Sequence, residues 1–167
     1  MDDPLIDRLR SGTDALKATR SAVEARGPWP LATMIDHSAE ARWGPPEVLA
    51  HISEMVEYWK GELERVVAGR PEPVPFGRLA TDPVRLAILE RDRSLPVREL
   101  YDRTVAALER LERRLAELTP VELGRRGLHP SRGVMTAAQI PERFVVGHLA
   151  EHVAQLETLL DGPPTAA

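Results

Sequence analysis

The chain contains no cysteine. A disulfide framework, a thiolate nucleophile and a thiolate metal site are therefore excluded, and any bound metal must be held by imidazole and oxygen. No apolar stretch approaches the roughly 18 to 20 residues needed to span a bilayer. The first residues, Met1-Asp2-Asp3-Pro4, are acidic and lack the charged-then-apolar layout of a signal peptide. These absences predict a soluble cytoplasmic protein with no membrane partner. No long basic run stands out and the formal net charge is −4, which argues against nucleic acid as a partner. No glycine-rich phosphate cradle and no Gly-x-Ser-x-Gly elbow occur. No β alternation of useful length is visible, and there is no repeat and no low-complexity linker.

What is present is helical periodicity. The 167 residues suffice for one domain, residues 1–167, with a substantial core. Abundant Arg, Ala and Pro fit the coding bias of a GC-rich bacterial genome. A first helix is predicted over residues 4–25, with Leu5, Leu9, Leu16 and Val23 at helical spacing and Gly12 as a weak spot. A second covers 45–68, opened by Pro45 and Pro46, where a missing N–H costs little, and stopped by Gly69 and Pro71. Val48, Ile52, Met55, Trp59, Leu63 and Val66 form its apolar stripe.

A third covers 96–118. Its charge run of Glu109, Arg110, Glu112, Arg113 and Arg114 reads as a solvated face with local ion pairs. A fourth covers 136–160, with Thr136 and Gln139 spaced as a capping box and Pro141 near its start. The links span 26–44, 70–95 and 119–135, and a short helix is expected around 83–89. The fold class is all-α, most simply a four-helix bundle whose long second link allows a crossover.

His148 and His152 are four residues apart on one stripe of the fourth helix, so both imidazoles reach one metal ion. His51 lies on or beside the inward face of the second helix. If the two helices pack together, the three rings form a facial site with positions left open, which suits catalysis better than a structural role. For a single His on an apolar face, ordinary packing is the better reading by about three to one. The pair shifts the balance, because two buried imidazoles each need a partner and a shared metal supplies it.

Around them, Glu54, Glu151 and Gln155 could orient a ligand imidazole, as metal-bound histidines require; for the two glutamates a plain solvated role is the better reading by about three to one, and for Gln155 the two are even. Tyr58 and Tyr101 are candidate pocket donors, with core-edge packing the plainer use. His37 and His129 sit in links, where surface exposure is the plain reading. Trp43 reads as a staple at the entry to the second helix.

The stretch Trp-Gly-Pro-Pro-Glu-Val-Leu-Ala-His-Ile-Ser-Glu, from Trp43 to Glu54, resembles the second-helix motif of the DinB-like (DinB/YfiT-like) superfamily. His129-Pro130-Ser131-Arg132-Gly133 resembles that family's approach to its last helix. The run from Phe144 to Leu156 resembles the last helix itself, with paired histidines and a following Gln. The resemblance implies a four-helix bundle of up-down-down-up order. It also implies a divalent metal, zinc or nickel first and iron or manganese next, held by His51, His148 and His152 with Gln155 behind them.

It further implies a homodimer and a small-molecule substrate. Relatives include mycothiol-dependent maleylpyruvate isomerases and bacillithiol S-transferases. The isomerase branch often carries Glu at the position of His148, so this chain resembles the three-His branch. The expected activity is metal-dependent: transfer of an external low-molecular-weight thiol, or hydrolysis, with Glu54 and Tyr58 handling protons. The alternatives are a non-catalytic metal-binding or stress-related interaction bundle, and a bundle with well-packed histidines and no metal.

Overall fold

A computed structural model describes residues 4–33 and 35–162, with the backbone but not the side chain of His37. The chain is mostly helical. Helix α1 spans Pro4–Arg26 and buries Leu9, Leu16 and Val23 along one stripe. A 3₁₀ turn spans His37–Arg42 inside the first link, opened by Asp36, whose side chain accepts from the Ser38 N–H at 2.7 Å. Helix α2 spans Pro45–Ala68, with Gly44 as N-cap and the two prolines in its first turn. It is flanked by α3 (Pro83–Asp92) and α4 (Val97–Glu117). Asp82 caps α3 through the N–H groups of Val84 and Arg85, and the expected short helix runs on to Asp92.

After α4 comes a single turn, α5 (Pro120–Leu123), opened by a capping box between Thr119 and Glu122. The final helical region starts with α6 (Gln139–Pro141), passes through a π-turn (Glu142–Val146) and continues as α7 (Gly147–Asp161). Helix α2 packs against α4 and α7, and α1 packs against the same two. The core between them is aliphatic, centred on Leu16, Leu49, Ile52, Leu108, Leu149 and Leu156. Gly12, a weak spot by propensity, lies where α1 and α7 meet closely. A Cβ there would come within 2.9 Å of Leu149 Cδ2. Among the described residues no helix is long and apolar enough to cross a membrane.

Three features depart from the sequence reading. A small sheet is present. Strand β1 (Val74–Pro75) pairs parallel with β2 (Arg126–His129), which pairs antiparallel with β3 (Gly133–Thr136). Strands this short give no readable alternation. Their register depends on Gly127, whose missing Cβ admits the Phe76 ring and Val66.

The last helix begins later than expected, because Thr136 belongs to β3. Its backbone N–H is accepted by Gln139 Oε1 at 2.9 Å, and Gln139 then opens α6. The charge run on α4 pairs mainly across helices. Glu109 and Glu112 reach Lys17 and Arg10 of α1, while Arg110 and Arg114 reach Glu57 and Glu64 of α2.

Candidate metal centre

Helices α2 and α7 bring the three expected histidines together at one end of the helical core. His51 and His152 are buried, and His148 is half-buried with 34% of its side chain exposed. Their Nε2 atoms converge: those of His51 and His148 are 3.1 Å apart. Glu40, delivered by the 3₁₀ turn, completes the cluster. Its Oε1 is 2.9 Å from His148 Nε2 and 3.1 Å from Nε2 of both His51 and His152. One ligand atom from each of the four residues lies within 4.8 Å of all the others. Three imidazoles and a carboxylate suit a borderline divalent ion such as zinc, nickel, iron or manganese.

The outer hydrogen bonds decide which way the lone pairs point. His152 Nδ1 is 3.0 Å from Gln155 Oε1, and the Gln155 amide nitrogen donates to the carbonyls of Glu40 and Trp43. An amide oxygen only accepts, so Nδ1 of His152 carries the hydrogen. Glu151 accepts from Nδ1 of His148 at 3.0 Å by the same logic. With Nδ1 carrying a hydrogen, the Nε2 atoms of His148 and His152 face the Glu40 carboxylate, and each either carries a second hydrogen to donate to it or offers its lone pair to a cation. Electron-rich atoms meeting at these distances need protons or a cation between them. His51 differs. Its Nδ1 accepts from Arg85 Nη2 at 3.3 Å, so the neutral ring carries its hydrogen on Nε2. To serve as a ligand through Nε2, His51 must give up that hydrogen and Arg85 must turn away.

The electrostatics follow from these contacts. Burial opposes ionisation of Glu40, but hydrogen bonds from His148, His152 and His51 outweigh it and hold the carboxyl well below its usual range. Burial pushes His51 down to about 3. The hydrogen bond with Glu40 raises His148 above the ordinary imidazole value against the effect of burial.

The cluster opens onto a cavity of about 380 Å³, to which Glu40, His51 and His148 contribute. Trp59 and Phe144 stack across its wall, with centroids 4.0 Å apart and planes 8° from parallel. The π-turn makes this possible: Gly147 N–H bonds Glu142 O, so residues five apart stack, and Arg143 and His148 share the cavity wall. His129, at the end of β2, also lines the cavity. Trp43 is fully buried and sets its ring against His51.

Glu54 and Tyr58 lie elsewhere. Both engage Arg78: Glu54 in a buried ion pair at 2.6 Å, and Tyr58 with its ring 3.6 Å beneath the guanidinium. Burial raises the Glu54 carboxyl and pushes the Tyr58 hydroxyl up to about 12. The His37 side chain lies outside the described residues. Glu40 and Arg85 were missed in the sequence. A trace of Glu40 was there, since Asp36 and Ser38 are spaced to start a turn just ahead of it.

A family model of the DinB superfamily matches residues 5–156. The chain belongs to the DinB superfamily. The match takes in the 3₁₀ turn, α2 and α7 as far as Leu156, so every residue of the cluster and Gln155 lie inside it. A search of curated proteins gives no match.

Proposed function

We propose that Glu40, His51, His148 and His152 hold a divalent ion and that this DinB superfamily member is a metal-dependent enzyme acting on a small molecule in the adjoining cavity. The observation that carries the reading is the convergence of three imidazole Nε2 atoms on a carboxylate oxygen beside a cavity. Gln155 and Glu151 keep two rings in the tautomer a ligand needs. Glu40 contributes negative charge and an oxygen donor. Trp59 and Phe144 shield one side of the cavity from water. Glu54 is best read as the partner that fixes Arg78 at the cavity wall, with Tyr58 beneath it, rather than as a proton carrier. A bound divalent ion would supply Lewis acidity and lower the pKa of a thiol or water.

Because the chain has no cysteine, a thiol reactant must come from outside. Thiol transfer to an electrophile and hydrolysis are the two reaction types this favours, in a four-helix bundle of up-down-down-up order working as a homodimer. The test is turnover by metal-loaded protein with glutathione, mycothiol or bacillithiol plus an arene electrophile, and separately with an activated ester. Turnover is expected to exceed that of free metal and to fall by about two orders of magnitude in a His148→Ala/His152→Ala variant. Equal rates in the two proteins would overturn the reading.

One observation favours a second reading. Four protein donors can close a tetrahedral shell, which is the pattern of storage or structural sites. Cobalt(II) substitution separates the two. Intense tetrahedral absorption unchanged by added azide would support a closed, non-catalytic site. A weaker five- or six-coordinate spectrum that azide alters would support the enzyme.

A further inference from the structure

The cavity beside the cluster is rich in positive charge, and that charge is unequally spent. Four arginines line it: Arg78, Arg85, Arg132 and Arg143. Arg78 is neutralised by Glu54, and Arg85 is shared between Glu40 at 3.5 Å and His51. Arg132 and Arg143 are exposed and have no carboxylate partner among the described residues. Glu142, next to Arg143 in sequence, is paired with Arg8 at 3.1 Å. Glu40 is the one carboxylate among the lining residues, and the histidine cluster already engages it.

Beside these cations lies an aromatic stack. Trp59 and Phe144 stack face to face, and the His129 ring lies 5.2 Å from Phe144 at 24°. The Arg132 guanidinium, though exposed, sits 5.6 Å over the Phe144 ring, so one charge lies beside the stack. Met55 and Leu79 extend the apolar side. A guanidinium fork matches a carboxylate, and an aromatic stack matches an aromatic body.

We propose that this cavity selects a small carboxylate with an aromatic body, its carboxylate held by Arg132 and Arg143 and its ring packed against the edge of the Trp59–Phe144 stack. The proposal rests on the enzyme reading for its place beside the cluster. The carboxylate is anchored at the mouth, which leaves the far end of a planar molecule facing Glu40, His51 and His148.

The probes are benzoate, benzyl alcohol and acetate, titrated calorimetrically into metal-loaded protein, metal-free protein and an Arg132→Gln/Arg143→Gln variant. Metal content and melting temperature confirm that the variant is folded and loaded. Benzoate is expected to bind at least about tenfold more tightly than either of the other two, since each lacks one half of the recognised group. The double variant is expected to lose about tenfold for benzoate with metal content unchanged. Phe144→Leu should weaken benzoate more than acetate. Benzoate binding that weakens with added salt and persists without metal would support the proposal even if the metal reading failed. Equal affinity for benzoate and benzyl alcohol, or an unchanged affinity in the arginine variant, would overturn the proposal and leave the metal reading standing.

Discussion

Protons and a metal ion compete for the same lone pairs at Glu40, His51, His148 and His152, and the competition has a direction in pH. In the metal-free protein His148 is raised by its bond to Glu40, so its contribution to stability is complete below the ordinary imidazole value near 6.5 and is lost as pH rises through the raised value. His51, held neutral by burial down to about 3, acts oppositely and costs stability as pH falls below about 6.5. Glu40, held low, contributes fully above the ordinary carboxyl range and loses that contribution progressively as pH falls below it toward the lowered value. Melting curves of chelator-treated protein should therefore peak near neutrality. A His148→Gln variant should lose the alkaline decline and keep the acidic one.

Metal binding requires deprotonated imidazoles, so the rise in melting temperature on adding metal should grow from pH 6 to pH 8. A metal effect that shrinks over that range would contradict the assignment. Gln155 offers a second test at this scale. It ties His152 to the carbonyls of Glu40 and Trp43, so Gln155→Leu should weaken metal affinity by about 10- to 100-fold while leaving helicity intact. Competition with a chromogenic chelator measures that change. Unaltered affinity would mean that the ring is held by packing alone.

Among the elements, the link that carries Glu40 depends on a buried ionic anchor. Glu47 is fully buried in the first turn of α2, accepts from the Ala32 N–H at 2.6 Å and meets Arg93 Nη1 at 3.3 Å. Arg93 also donates to the Ala32 carbonyl, so α2, the end of α3 and the link meet at one point. Removing one partner leaves the other charge buried. Glu47→Ala should cost about 3–5 kcal/mol in chemical denaturation and weaken metal binding through Glu40. A loss below about 1 kcal/mol would show that water or rearrangement replaces the anchor.

Much at this scale was legible. Pro45-Pro46 and Gly69 bound α2 as read, because proline and glycine act locally. The spacing of His148 and His152 signalled that their rings share a face. The 3₁₀ turn and the π-turn were not legible. A six-residue turn carries no period, and a π-turn differs from α-helix by one extra residue that no side chain announces. Glu40 meets His148 and His152 over more than a hundred positions, so only tertiary packing reveals the contact.

Over the whole molecule, the long helices cohere through their apolar stripes, and the ion pairs between them are secondary. Lys17–Glu109 and Arg10–Glu112 bridge α1 to α4 at the surface, where such pairs contribute about 0–1 kcal/mol each. Leu108, fully buried on the same helix, should cost about 2–5 kcal/mol when cut to alanine. Urea unfolding of Glu109→Ala/Glu112→Ala against Leu108→Ala should show that order, and a reversed order would make the charged faces the main adhesive.

The amphipathic stripes made the all-α class readable, since each long helix repeats its apolar positions over several turns. The sheet was unreadable because its strands are two to four residues long. The sign of pairing on α4 was equally hidden, because partners on α1 and α2 depend on which helices become neighbours.

Elemental analysis of untagged protein purified without chelator, beside His148→Ala/His152→Ala and Glu40→Ala variants, tests the central claim most directly. The account predicts close to one divalent ion per chain in the parent, none in the double histidine variant and a weakened, partly filled site without Glu40. No metal in any of the three, and no binding after zinc, nickel, iron or manganese is added, would contradict it and leave a helical protein whose histidines are held by hydrogen bonds to Glu40 and its neighbours.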